Sequence, residues 1–221
     1  MSENLPAWLE SLADAADADF QVRNEVRDRA LQQSRMLIRH CSHAIRAGHR
    51  NDWDEAEALL EQASAEARQL QEMLAPYPDL YHAGYTQDAL KEWVEARLTL
   101  ALLGERTLPA PKEIDVPYST LLNGLCEAAS ELRRRCLDVM RRGDMAEAER
   151  LLATMDAVYE VLMAFGYPNA ITGGLRRRVD QLRGVLERTR GDLTNSQQMQ
   201  QLADALADFE AAIKANPKTE A

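Results

Sequence analysis

The chain has 221 residues, 46% apolar and only 5% aromatic, and carries 26 basic against 36 acidic side chains for a net charge of −10. That is enough chain to bury a substantial core, while 10 glycines and 8 prolines leave too little turn chemistry for many short strands. Abundant Ala, Leu, Glu, Arg and Gln favour helix, so the composition specifies an all-α protein.

Residues 1–19 are rich in Ala and Asp and read as a partly ordered leader; 20–215 read as one all-α domain. The first long helix is expected from Phe20 to Gly48, with Val22, Val26, Ala30, Leu37, Cys41 and Ile45 on its apolar face. Asn51 or Asp52 can cap a second helix that runs to about Met73. Ala75-Pro76-Tyr77-Pro78 breaks it, and a third helix spans Thr86 to Leu103. Three prolines mark a loop between Thr107 and Pro117. The fourth helix begins near Leu121 and stops at Gly143; Asp144 caps a fifth that reaches about Phe165. Gly173-Gly174 turns into a basic sixth helix, Leu175 to Arg190, which Gly191-Asp192 is expected to end. A seventh runs from about Ser196 to Ala215, and the tail 216–221 should fray.

The N-terminus, Met1-Ser2-Glu3-Asn4, lacks a positive n-region and a long apolar run, so no signal peptide is evident. Apolar runs such as Leu100 to Leu103 are far too short to cross a membrane. Cys41, Cys126 and Cys136 are odd in number and lack C-x-x-C spacing, which suits reduced thiols in a cytoplasmic protein.

Acid spread evenly would exclude a nucleic-acid surface, but the positive charge is nearly all arginine, and it clusters. Arg23, Arg27, Arg29, Arg35, Arg39, Arg46 and Arg50 lie on one early segment. Arg133, Arg134, Arg135, Arg141 and Arg142 lie on the fourth helix, and Arg176, Arg177, Arg178, Arg183, Arg188 and Arg190 on the sixth. Local basic faces of this kind can hold phosphates on an acidic molecule. Facing bulk solvent, they would only keep it soluble.

The acids offer the sharper chemistry. Leu121, Leu125, Ala129, Leu132, Cys136 and Val139 form an apolar stripe, and Glu127 and Glu131 stand four apart on a face roughly opposite. Glu92 points away from the apolar side of the third helix, with Glu95 on its flank. If the two pairs converge, four oxygen donors suit Mg²⁺ or Mn²⁺ rather than zinc. The same spacing also describes an ordinary solvated helix face. His40 and His43 are three apart but have no acidic or cysteine partner at matching spacing, and read as helix surface. Gly173-Gly174 could present backbone N–H groups to a phosphate, though such a pair is more often a plain turn. No Ser/His/Asp arrangement stands out.

Two stretches resemble the translin and translin-associated factor X family. Glu92-Trp93-Val94-Glu95-Ala96 is similar to the E-Y-V-E-A of its nuclease branch, and Gly124 through Glu127-Ala128-Ala129-Ser130-Glu131-Leu132 to that branch's G-x-x-D-L-x-G-E-L. Gly143-Asp144 resembles a further landmark. Glu127 replaces Asp, Trp93 replaces Tyr, and Ser130 replaces Gly.

The resemblance implies a seven-helix domain and a homo-oligomeric shell, typically an octamer. It further implies a metal site on Glu92, Glu95, Glu127 and Glu131. The expected function is a Mg²⁺-dependent endoribonuclease on single-stranded RNA, with DNA as a further substrate. Arg35, Arg39, Arg133, Arg134 and Arg177 are the expected phosphate contacts. The alternatives are a non-catalytic RNA- or DNA-binding module and, ranked last, an all-α nucleotide pyrophosphatase. Those pyrophosphatases carry E-x-x-E followed by E-x-x-D, whereas the second pair here is four apart.

Overall fold

A computed structural model describes residues 5–215, and every regular element among them is a helix. The fraying expected of 216–221 lies outside the described residues. Packing divides the chain into two compact units, one ending at Gly124 and the other beginning at Leu125.

The first unit contains α1 (Leu5–His49), α2 (Trp53–Leu74), α3 (Pro78–Tyr81), α4 (Gly84–Leu103) and α5 (Pro111–Ile114). It also holds the opening turns of α6 (Tyr118–Met140). Helix α1 packs on α2 and α4. Val26, Ala30, Leu37, Cys41 and Ala44 are all but fully buried along it, as the 3.6-residue period requires. Val22, expected on the same face, is 50% exposed. Small residues line the facing side of α2 (Ala56, Ala63 and Ala67), so the helix axes can approach closely. Asp52 caps α2 by accepting from the Glu55 N–H at 3.4 Å. Helix α4 is buried nearly all round, and Trp93 donates its indole N–H to Ser64 Oγ of α2 at 3.0 Å.

The second unit contains the rest of α6, α7 (Met145–Met163), α8 (Asn169–Thr172) and α9 (Leu175–Ala215). Asp144 caps α7, accepting from the Glu147 N–H at 3.1 Å. Leu151, Met155 and Leu162 of α7 and Leu175, Leu182 and Leu186 of α9 are almost completely buried, where those two helices pack. Gly173 closes α8 in the left-handed region, and Gly174 follows with φ 86°, so the pair makes a turn.

The expected stop at Gly191 does not form: α9 runs through it without interruption. A glycine costs a helix interior only about 1 kcal/mol. Here its neighbours anchor the turn, since Leu193 is buried and Asp192 takes Arg133 Nη2 at 2.8 Å. The segment before Phe20 is likewise helical from Leu5, continuous with α1.

All three thiols are buried. Burial pushes Cys126 up to about 12 and Cys136 to about 11. Cys41 is raised as well, first by burial and then by the nearby carboxylates of Glu92, Glu95 and Glu66. The reactive thiolate is therefore suppressed at all three positions. Native protein at pH 8 should resist a thiol-labelling reagent, with three equivalents reacting once denaturant is added; labelling of the native chain would contradict this burial.

Candidate metal and nucleic-acid site

Helix α6 meets α4 at a glycine. A Cβ on Gly124 would stand 2.6 Å from Val94 Cγ1, 2.7 Å from Val94 Cβ and 3.0 Å from the Lys91 carbonyl oxygen. Only a residue without a side chain permits this approach. Thr120, one turn earlier, donates to Gln87 Oε1 of α4 at 2.6 Å and fixes the register. At about 100° per residue, Glu127 and Glu131 lie roughly 60° and 20° from the direction of Gly124. Along α6 itself, the acids therefore fall on the same side of the helix as Gly124.

On α4, carboxylate oxygens of Glu92 and Glu95 come within 4.8 Å of each other. Glu95 is only 9% exposed and Glu92 half-buried, so neither stands on the open surface that spacing alone allowed. Like charges this close and this poorly solvated repel unless a cation or a shared proton relieves them. Lys91, itself buried, supplies one: its Nζ lies 2.9 Å from Glu92 Oε1. Glu127 and Glu131 are half-buried, and the α6 surface around them is more enclosed than a single apolar stripe suggests. Arg178 Nε donates to Glu127 Oε1 at 2.8 Å.

The phosphate candidates differ in how free they are. Arg35, Arg39, Arg134 and Arg177 are exposed. Arg133 is half-buried and engaged, donating to Thr189 Oγ1 at 3.0 Å and to Asp192. Ser130, Glu131, Arg133, Arg134, Leu137, Asp138 and Arg141 line an open groove of about 550 Å³.

His40, which its spacing places on plain helix surface, instead pairs across two helices. Its Nδ1 lies 3.0 Å from Glu66 Oε2 on α2, and both groups are half-buried. Nothing local in sequence links two helices in this way, so the pair had no signal. His43 is exposed.

The fold and this geometry define an all-α protein of long helices, with a pair of acids set on the central helix of its first unit. No family model matches the sequence. The uncharacterized protein MJ0175 of Methanocaldococcus jannaschii is 34% identical over 173 residues, 77% of this chain and 76% of the relative. Among solved structures, AfC3PO is similar with a TM-score of 0.78 at 30% identity, covering 85% of this chain and 97% of that one. AfC3PO in complex with duplex RNA gives a TM-score of 0.73 with the same identity and coverage. Apo-NeC3PO, 22% identical over 89% of this chain and 98% of that one, shares the fold with a TM-score of 0.75. The chain belongs to the translin and translin-associated factor X family, of which these C3PO structures are members.

Proposed function

We propose that the protein is a Mg²⁺-dependent endoribonuclease, with Glu92, Glu95, Glu127 and Glu131 as metal ligands and Mn²⁺ as an alternative ion. The reading is carried by one observation: carboxylate oxygens of Glu92 and Glu95 come within 4.8 Å of each other on α4, one side chain buried and the other half-buried. An all-oxygen, partly desolvated donor set of this charge fits a hard divalent cation. A bound ion would polarise a phosphoryl oxygen and lower the pKa of a coordinated water. The chain's own part is to hold the ligands in place through the α4–α6 packing at Gly124. Exposed arginines, among them Arg35, Arg39, Arg134 and Arg177, would grip phosphates by paired N–H donation. RNA as the ligand is supported by the duplex RNA complex of AfC3PO. Single-stranded RNA, and DNA besides, remain part of the proposed substrate range.

Labelled RNA incubated with and without Mg²⁺ tests this directly. Cleavage should require the ion and vanish when Glu127 and Glu131 are both changed to Gln. Cutting that survives the double change removes these residues from the mechanism.

A second reading rests on Lys91. Its ammonium already faces Glu92, and a resident cation of this kind would serve a binding module that needs no metal. That reading requires salt-sensitive RNA binding with no Mg²⁺-dependent product.

We also propose that the chain assembles with copies of itself in the cytoplasm. Met199, Leu202, Leu206, Phe209 and Ile213 of α9 are each more than half exposed. They recur at intervals of three and four, the pattern of a helix seam awaiting a partner. Leu5, Trp8, Leu9 and Leu12 of α1 are equally bare. Changing Leu206 and Phe209 to Asp should lower the sedimenting mass of the protein; an unchanged mass would take this stripe out of the interface. Among the described residues no helix is long and apolar enough to cross a membrane.

A further inference from the structure

At least nine of the 22 arginines of this protein are committed to carboxylates. Arg23, Arg27, Arg50, Arg106, Arg133, Arg141, Arg150, Arg178 and Arg190 all face carboxylates within 4.0 Å. Arg176 is exposed and makes no hydrogen bond or ion pair with any described residue. It stands on the rim of a cavity of about 300 Å³ in the second unit, where the end of α7 and the following turn meet the start of α9. The cavity floor is apolar: Leu162 and Leu175 are each 1% exposed and Val179 7%. Its rim carries two aromatic rings, Phe165 at 37% exposure and Tyr167 at 62%, and one further charge, Asp180.

Exposed aromatic rings beside a guanidinium with no carboxylate partner offer a surface that a flat, anionic group could cover favourably. A nucleobase stacks on Phe and Tyr irrespective of its identity, and its phosphate is a natural bidentate partner for arginine. Asp180 can only accept hydrogen bonds when ionised. It therefore suits a base edge that presents an amino group, as cytosine and adenine do. The volume fits one such unit at the small end of ligand cavities. Inside a duplex a base is stacked on both faces and paired along its edge, so a base reaches both the rings and Asp180 only when unpaired.

We propose that this cavity receives a single unpaired nucleotide of an RNA strand, with its base on Phe165 and Tyr167 and its phosphate on Arg176. This subsite lies apart in sequence from the acids assigned to cleavage, and it rests on the reading of the protein as RNA-binding.

The test uses the full-length protein and two RNA ligands, a blunt duplex and the same duplex with a short cytidine overhang. Wild type should prefer the overhang. Tyr167→Ala and Arg176→Ala should each weaken overhang binding by about 5- to 150-fold, the range for one lost stacked base, and leave blunt binding unchanged. Tyr167→Trp, which restores a flat ring, should recover the preference. An overhang of 5-bromocytidine should crosslink under ultraviolet light to Phe165 or Tyr167. Equal losses on both ligands, crosslinks elsewhere, or an altered oligomeric state in Tyr167→Ala would overturn the subsite. Failure of wild type to bind either ligand would overturn the RNA reading itself, and the subsite with it.

Discussion

Magnesium is expected to raise the unfolding temperature of the protein by roughly 5–10 °C, and to do so only while Glu92 and Glu95 keep their charge. The magnitude follows from linkage. An ion at a hundred times its dissociation constant stabilises the folded state by about 2.7 kcal/mol. In a chain of this size each kcal/mol shifts the midpoint by about 2–4 °C. Glu95 is nearly enclosed, and Lys91 Nζ stands 2.9 Å from Glu92 Oε1. One ammonium carries a single positive charge against the two carboxylates of α4, so an added divalent cation has electrostatic work left to do. In Glu92→Gln/Glu95→Gln protein the shift should disappear, and Mg²⁺-dependent RNA cleavage should fall at least ~100-fold. That fall reflects the several kcal/mol a metal ion contributes to phosphoryl chemistry. A wild-type melting curve indifferent to millimolar Mg²⁺ would reject the metal site without any reference to activity.

Gly124→Ala should cost about 1–3 kcal/mol, as overpacked interiors do, whereas Gly48→Ala should cost much less. Both sites are crowded, but by different atoms. Beside Gly124 stand the branched Cβ of Val94 and the Lys91 carbonyl, neither of which can swing aside. Beside Gly48 the closest atom is Cδ2 of Leu100, the far end of a side chain with rotamers to spare. At Gly48 the better helix propensity of alanine, about 1 kcal/mol, offsets much of that adjustment. Thermal melts of the two variants should separate by several degrees. Gly124→Ala should also blunt the Mg²⁺ response, because it pushes α6 off the helix bearing Glu92 and Glu95. Equal melting temperatures would show that the α4–α6 approach is softer than its contacts imply.

What could be read in advance was local. Asp52 and Asp144 were recognisable as caps because a side-chain oxygen reaching back to an N–H three residues on is a short-range event. The limits of α4 were clear for the same reason, with Gly104 closing the expected helix. Gly191 misled because glycine weakens a helix without ending it when both flanks are anchored. The helical face of Glu127 and Glu131 followed from their spacing, yet their partial burial did not, since only a second helix can enclose them. Likewise Lys91 against Glu92, and His40 against Glu66 across two helices, are set by tertiary packing.

The length of α9 carries a consequence of its own. Leu193 is the last buried leucine along it, and Ile213 lies 20 residues further on, a rise of about 30 Å at 1.5 Å per residue. In the assembly proposed above, copies joined near the far tip would be spaced by helical struts rather than pressed flush. The length of such a strut is held by backbone hydrogen bonds, which among substitutions only proline removes outright.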